Sequence, residues 1–306
     1  MVQKNGEASA EDWQKLFATV PYLNLKAREE AMGSPFTDED FKKFLVSPEA
    51  RAKSAEWDAT LARIKRADMR AIGESVLAWL PAGAEIHASV FPEIKPRQNS
   101  FVWGKPGDAP AIFLYLGDQT KAQFENTVAH ECHHIGLGSL QKQQESIAAR
   151  LPENVRRAVH WMGAFGEGEA MLAAAGSVDV HPHFEDDAAV RARWDSDMMH
   201  FNADLAALEE FFTEILDGRL ADDAAIMKRA RPFWGDAQGA WYTVGYEMAA
   251  LVEKRFGRQA LLGCLMEPQK LLAIYNQVAI EARAKGADLG MWSEGFLKRL
   301  AGVSPR

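Results

Sequence analysis

Cysteine and long apolar runs are both scarce in this sequence of 306 residues. The only two cysteines, Cys132 and Cys264, cannot build a disulfide framework, so the fold must depend on a hydrophobic core. No stretch reaches the roughly 18 consecutive apolar residues that a membrane-spanning helix needs, so no spanning helix is expected. The start, MVQKNGEASAEDW, lacks the apolar region of a signal peptide. We therefore expect a cytoplasmic protein, although a trimmed secreted chain would begin in the same way.

An excess of positive charge is lacking too. The chain has 35 lysines and arginines against 43 acidic residues, which gives a net charge of -8, and the two signs are interspersed. This balance argues against nucleic acid or an anionic membrane as a partner. Hydrophobic residues make up 47% of the chain and charged residues 25%, values typical of a globular protein.

Repeats and low-complexity linkers are absent, and three regions differ in pattern. Residues 1–80 read as helices, and Thr37 with Asp40 three residues on is typical of a capping box. Residues 81–140 contain the segments AEIHASVFPEI, NSFVWG and AIFLYLG, which predict three strands, and then one helix. Residues 141–306 are predicted to be helical again. The predicted class is α+β, with a small mixed sheet beside the helix that follows it and an otherwise mostly helical chain.

The helix after the sheet is predicted from GDQTKAQFENTVAHECHHIG. Asp118 or Thr120 can cap its start, and Gly136 can end it. Apolar residues at helical spacing predict its buried face: Phe124, Val128, Cys132 and Ile135. Cys132 is therefore expected to be a small buried apolar residue and not a metal ligand.

Five residues of this helix, His130 to His134, form the pattern H-E-x-x-H. His130 and His134 are four residues apart, so their imidazoles stack on one face and can point at a single zinc ion. Glu131 would take a proton from a metal-activated water and pass it to the leaving amine. His133 lies off this face, so we expect it to support the ligands or to lie at the surface.

Two imidazoles do not complete a catalytic zinc site, which needs a third protein ligand. The long metzincin motif would require Gly at 137 and His at 140, but Leu137 and Leu140 stand there, so that arrangement is excluded. The other common solution is a glutamate from a second helix.

The segment LPENVRRAVHWMGAFGEGEAMLAAAG predicts a second helix, with Pro152 in its first turn. Glu167 lies in this apolar helix between Gly166 and Gly168. Each glycine costs about 1 kcal/mol relative to alanine inside a helix. We therefore expect another backbone to approach this helix closely.

H-E-x-x-H followed by E-G-x-A on a later helix resembles the gluzincin metallopeptidases, which include the thermolysin-like and aminopeptidase N-like families. The resemblance implies a zincin-like fold, a peptide or protein substrate, and Glu167 as the third ligand, with Glu169 as the alternative. The wider pattern of TVAHECHHIGLGS, GEGEA and GYEMAALVEKRFG is also similar to zinc-dependent peptidases among uncharacterised bacterial proteins, over residues 95–280. Two histidines and one glutamate favour zinc (Zn2+) over other divalent ions.

The same resemblance implies a residue that binds the substrate. QNSFVWG is similar to the Asn-Ala-Phe-Trp edge strand of thermolysin-like enzymes, with Ser100 where alanine is expected. That strand pairs with the substrate backbone, so Asn99 would bind the peptide. The alternative is an ordinary strand with Phe101 and Trp103 in the core.

The resemblance also implies a residue that donates a hydrogen bond to the oxyanion formed during peptide hydrolysis, since gluzincins use a tyrosine or a histidine in this role. Tyr242 and Tyr246 share one face of the predicted helix AWYTVGYEMAALVEKRFG. Tyr246 fits the resemblance best, Tyr242 comes second and His200 third. The alternative is a buried aromatic pair.

The favoured function is a zinc-dependent peptidase, since a purely structural zinc has no use for a general base such as Glu131. The Gly-Ala-Met-Glu-Asn signature of aminopeptidase N-like enzymes is absent, which favours an endopeptidase. The alternatives are a gluzincin-shaped metal-binding protein without activity and a metal amidase for a small substrate. His181 and His183, in the segment HPHFEDD, are expected to lie in a solvated loop.

Overall fold

A computed structural model describes residues 8–97, 99–104, 109–220, 222–235 and 238–302. These residues are mostly helical and contain one three-stranded mixed sheet, which confirms the predicted α+β class. The chain divides into two compact units. Unit 1 contains the described residues up to Gly73 together with Ile86–Ile135, and unit 2 contains Glu74–Glu85 and the described residues from Gly136 on. None of the helices described here is both long and apolar enough to cross a bilayer.

Five helices precede the sheet, and capping side chains define several of their starts. Ser9 forms a capping box with Asp12, and Thr37 forms the predicted one with Asp40. The helices are α1 (Ala10–Phe17), α2 (Val20–Ala31), α3 (Asp38–Leu45), α4 (Pro48–Ile64) and α5 (Met69–Leu77).

The sheet of unit 1 consists of the three predicted strands: β1 (Ser89–Glu93), β2 (Phe101–Trp103) and β3 (Ala111–Tyr115). Their order is β1-β3-β2, with β1 parallel and β2 antiparallel to β3. Every residue of the central β3 is buried, and its β-branched and aromatic side chains suit this position. Phe101 pairs with Phe113 across the sheet, and their rings stack with centroids 4.9 Å apart.

Charged side chains lie in the core of unit 1 beside the Phe101 ring. The Lys95 Nζ is 3.6 Å from a carboxylate oxygen of Glu29 and of Glu93, and 4.2 Å from the Phe101 ring centroid. The Arg28 guanidinium lies 4.1 Å from the same centroid. Burial raises the pKa of Glu93 to about 7 against the opposing effect of Lys95, and burial lowers the pKa of Lys95. Electrostatic attraction between these cationic groups and the Phe101 ring thus holds Phe101, the first residue of β2, in place.

In the described residues, ten helices follow α6 (Lys121–Gly138), the helix that comes after the sheet. Their core is aromatic, and in it Trp241 contacts the rings of Phe165 and Phe233, with centroids 5.4 and 5.6 Å away. The helices are α7 (Gln141–Ala148), α8 (Glu153–Met162), α9 (Gly166–Ala175), α10 (Ala188–Met198), α11 (Phe201–Leu216), α12 (Asp223–Ala230), α13 (Ala240–Phe256), α14 (Arg258–Leu265), α15 (Pro268–Arg283) and α16 (Glu294–Leu300).

The prediction of one continuous helix from Leu151 to Gly176 is wrong. A 3₁₀ turn at Gly163–Phe165 separates α8 from α9. The apolar periodicity continues through this turn, with Met162 and Phe165 both buried, so the sequence pattern alone did not indicate the break.

Candidate metal centre

Helix α6 begins at a capping box formed by Thr120 and Gln123. The Thr120 Oγ1 accepts from the Gln123 backbone N–H at 3.2 Å, and the Gln123 side-chain oxygen accepts from the Thr120 backbone N–H at 2.8 Å. Of the two residues predicted to cap this helix, Thr120 is therefore the one that does so. The Asp118 carboxylate lies instead 3.7 Å from the Arg63 guanidinium.

Helix α6 ends at Gly138, two residues beyond Gly136, the residue that the sequence offered as its end. Gly136 is buried and is not one of the glycines with the positive φ that a terminating glycine adopts. The Ser139 hydroxyl donates to the Gly136 carbonyl at 2.6 Å and satisfies this acceptor near the end of the helix. The helix thus extends one full turn beyond His134.

His130 and His134 lie one helical turn apart on α6, and both are half-buried. Their Nε2 atoms are 3.0 Å apart, and the two rings are inclined by 78°. Two ligands of a tetrahedral zinc ion, each about 2.05 Å from the metal, lie about 3.4 Å apart. The separation of the two nitrogens therefore fits a cation bound by both imidazoles after a small adjustment.

A third side chain, the carboxylate of Glu167, lies near these two nitrogens. One ligand atom from each of His130, His134 and Glu167 lies within 4.8 Å of the other two. In the described part of the chain, this is the only such group of histidine, cysteine or acidic side chains. Two imidazoles and one carboxylate are a donor set of catalytic zinc sites and leave one coordination position for water. The residues present therefore fit a zinc ion.

Glu169, the alternative third ligand, is not in this group and is buried at 8% exposure. Its negative charge adds to the effect of burial in raising the pKa of the Cys264 thiol to about 12. Glu131, half-buried on α6, is not in the group either.

The backbone of α13 touches that of α9 next to Glu167, as predicted, but only at Gly168, because a Cβ atom on Gly166 would meet nothing closer than a Glu169 carboxylate oxygen at 3.9 Å. A Cβ atom on Gly168 would lie 2.0 Å from the Tyr246 backbone nitrogen and 2.4 Å from the Tyr242 carbonyl oxygen. A Cβ atom on Gly245 would lie 2.5 Å from the Phe165 carbonyl oxygen. Only glycine fits at both positions, so the contact between the two helices fixes the backbone that carries Glu167.

Cys132 and His133 lie on the core side of α6. Cys132 is 4% exposed, as predicted, and burial, with a smaller effect of Glu131, raises the pKa of its thiol to about 11. His133 is only 1% exposed, so the expectation of a surface position is wrong, and its ring centroid is 6.3 Å from that of His134. The broad buried face of α6 includes both residues.

Tyr246 and Tyr242, the candidate oxyanion donors, lie on α13 at the contact with α9. Tyr246 is 8% exposed, and burial raises the pKa of its phenol to about 12, with smaller effects of Glu247 and Glu253. Tyr242 is half-buried against the aromatic core. His200, the third candidate, lines a separate cavity of about 230 Å³.

Asn99 lies two residues before the first residue of the edge strand β2. Its Nδ2 donates to the Ser100 carbonyl at 3.3 Å, and its Oδ1 is buried without a hydrogen-bond partner among the described residues. The Ser100 hydroxyl accepts from the Tyr115 backbone N–H at 3.1 Å and ties this end of β2 to β3. Phe101 is buried and Trp103 half-buried, so β2 also contributes to the core.

The prediction of a solvated loop around His183 is wrong, because this side chain is only 7% exposed. Its Nδ1 is 2.8 Å from an Asp186 carboxylate oxygen, and its Nε2 is 2.6 Å from the Gln238 side-chain oxygen. The partner Gln238 lies 55 residues further along the chain. The local turn signals could not reveal this contact.

A family model described as "Putative zinc dependent peptidase (DUF5700)" matches residues 13–284 of the chain. No curated protein and no solved structure matched the chain.

Proposed function

We propose that this chain, a member of the family described as "Putative zinc dependent peptidase", hydrolyses peptide bonds at the site formed by His130, His134 and Glu167. The observation that carries the proposal is the convergence of these three side chains, which have the donor types of a catalytic zinc site. In such a gluzincin-like ligand set Glu131 is not a ligand, so its carboxylate can transfer protons.

Zinc, when bound by these side chains, polarises the scissile carbonyl and lowers the pKa of a bound water molecule to about 7. Glu131 acts as the general base, accepts the proton of the attacking water and delivers it to the leaving nitrogen. Its place in sequence next to His130, on the same helix α6, supports this role.

Two further groups of this chain act on the substrate in our proposal. Tyr246, with Tyr242 as second choice, donates a hydrogen bond to the developing oxyanion, supported by the position of α13 against the Glu167 helix. The substrate extends along β2, whose outer edge is unpaired within the described sheet, and Asn99 binds its backbone. Recognition of an extended backbone suits an endopeptidase.

Metal analysis tests the ligand set directly. Wild-type protein loaded with zinc and then desalted should retain one zinc ion per chain. His130→Ala and Glu167→Ala should each lose stoichiometric zinc, whereas His160→Ala, at an exposed histidine on α8, should retain it. Full retention of zinc by Glu167→Ala with loss by Glu169→Ala would move the third ligand to Glu169.

Glu131→Gln separates a peptidase from a metal-binding protein without activity. The variant keeps the shape of the side chain and all three proposed ligands but cannot accept the proton. We expect full zinc content and a loss of peptide hydrolysis of about 10²–10⁴-fold, the usual contribution of a positioned base. Equal turnover of a peptide library by variant and wild type would refute the mechanism. If the wild type with full zinc cleaves no peptide, the non-peptidase alternatives replace this proposal.

A further inference from the structure

We propose that His183 is a positioning residue, which holds the Tyr246 ring in place through Trp194 and so sets the direction of its hydroxyl group. This inference rests on the proposed function, in which Tyr246 is the oxyanion donor. It assigns a role to the one buried histidine of unit 2, which the ligand set does not use.

Both ring nitrogens of His183 are occupied by neighbouring side chains. The Asp186 carboxylate faces Nδ1 at 2.8 Å, and the Gln238 amide faces Nε2 at 2.6 Å. With no nitrogen left for a substrate, the imidazole is suited to hold a structure in place and not to transfer protons. We call Asp186, His183 and Gln238 the His183 network.

The imidazole ring packs against Trp194 of α10, with ring centroids 5.3 Å apart and the ring planes inclined by 59°. Trp194 in turn meets the Tyr246 ring edge-on, at 5.4 Å and an interplanar angle of 90°. All three rings are at most 8% exposed, so none can rotate without displacing the next. The orientation of Tyr246 therefore depends on the position of His183.

The His183 network also reaches the helix that carries Glu167. The Gln238 amide nitrogen lies 3.6 Å from the Met171 sulfur, and Met171 is one helical turn beyond Glu167 on α9. Gln238 itself lies just before the start of α13, which carries Tyr246. Loss of the imidazole would remove the contact that holds Gln238 just before α13, the helix that carries Tyr246.

A double-mutant cycle tests whether His183 acts through Tyr246. His183→Ala should lower kcat by about 10- to 100-fold, as expected when a reacting group is misplaced by about 1 Å, with little change in KM and with full zinc content. In the Tyr246→Phe background, the same substitution should lower kcat less than threefold. His160→Ala, at the exposed histidine, provides the matched control and should leave kcat unchanged in both backgrounds.

The cycle gives distinct results for the separate parts of the proposal. Equal losses from His183→Ala in both backgrounds would overturn the positioning role while leaving the peptidase intact. If Tyr246→Phe alone leaves kcat unchanged, the donor assignment fails and the inference fails with it. Should His183→Ala not fold, Asp186→Asn weakens the same network more gently, and its effect should likewise vanish in the Tyr246→Phe background.

A second readout does not depend on turnover. The chain has five tyrosines, so protein labelled with 3-fluorotyrosine gives a simple fluorine NMR spectrum in which Tyr246→Phe identifies the Tyr246 signal. We expect His183→Ala to shift or broaden that signal and His160→Ala to leave it in place. An unchanged Tyr246 signal in folded His183→Ala would overturn the inference even if no peptide substrate is found.

Discussion

The sheet of unit 1 and the α9–α13 pair of unit 2 position proposed functional residues by opposite means. At α9 and α13, two backbones touch through Gly168 and Gly245, with no side chain between them. Next to the sheet, the Phe101 ring of β2 is held by the charges of Arg28 and Lys95. Steric contact cannot be altered by solution conditions, whereas electrostatic contact can. We therefore expect the helix pair to be intolerant of mutation and the strand edge to respond to pH.

Gly168→Ala should have the largest effect. The added methyl group would meet the Tyr246 backbone nitrogen at 2.0 Å, so the helices must separate or the chain must unfold. We expect a loss of about 3 kcal/mol or more in the free energy of unfolding, at the upper end of overpacking effects, and weaker zinc binding because Glu167 is the adjacent residue. Urea unfolding and zinc titration measure both quantities.

Gly263→Ala is the matched control for this substitution. Gly263 lies inside α14, and an added Cβ atom would meet nothing within 4 Å. The control should gain about 0.5–1 kcal/mol, because alanine is the better helix former. If the Gly168→Ala protein is as stable as the control, then α9 and α13 can move apart at little cost in stability.

Glu93→Gln should remove a pH dependence of stability. The pKa of Glu93 is raised from 4.5 to about 7 in the folded chain, so its neutral form favours folding below about pH 4.5. This stabilisation, up to about 3 kcal/mol, is lost as the pH rises through 7 and the buried group becomes charged. We expect the variant to match the wild type near pH 4.5 and to be more stable at about pH 8.

The control for Glu93→Gln is Glu30→Gln, which changes an exposed glutamate on α2, the helix that carries Arg28 and Glu29. It should leave the difference in stability between the two pH values unchanged. Thermal unfolding of all three proteins at both pH values makes the comparison. A steeper pH dependence in Glu93→Gln than in the wild type would mean that Lys95 keeps Glu93 charged.

Asn99→Ala should have the smallest effect. The buried Oδ1 has no hydrogen-bond partner among the described residues, so its removal should cost little stability. If the side chain binds the substrate backbone, KM should rise by about 2- to 12-fold, the equivalent of one hydrogen bond, while kcat stays the same. Ser100→Ala, which removes the hydroxyl that accepts from Tyr115, is expected instead to lower stability. Unchanged KM in Asn99→Ala would remove Asn99 from the proposed binding site.

Local patterns predicted much of this molecule because the relevant physics is local. β-Branched and aromatic residues bounded by turn residues predicted the three strands, and the Thr37 capping box fixed the start of α3. The four-residue spacing of His130 and His134 placed their nitrogens together, since one helical turn determines that distance. Of the two glycines around Glu167, Gly168 correctly predicted a close backbone and Gly166 did not, and neither indicated which helix would supply it.

The failures have non-local causes. Gly136 can end a helix, but here it lies buried within one, and burial depends on packing that the local sequence does not encode. His183 lies among turn residues, yet Gln238 and Trp194 enclose it. The surroundings of both Gly136 and His183 are formed by segments that are distant in the sequence.

The glycine contact has a consequence for finding relatives of this protein. Because a Cβ atom at Gly168 or Gly245 would collide with main-chain atoms, no change in a neighbouring side chain can make room for it. A distant homologue that keeps this helix crossing must therefore keep both glycines, even where its other residues have diverged. A database search that requires glycine after the proposed ligand in GEGEA and before the tyrosine in GYE would select sequences with the same architecture. It would also reject chance occurrences of H-E-x-x-H.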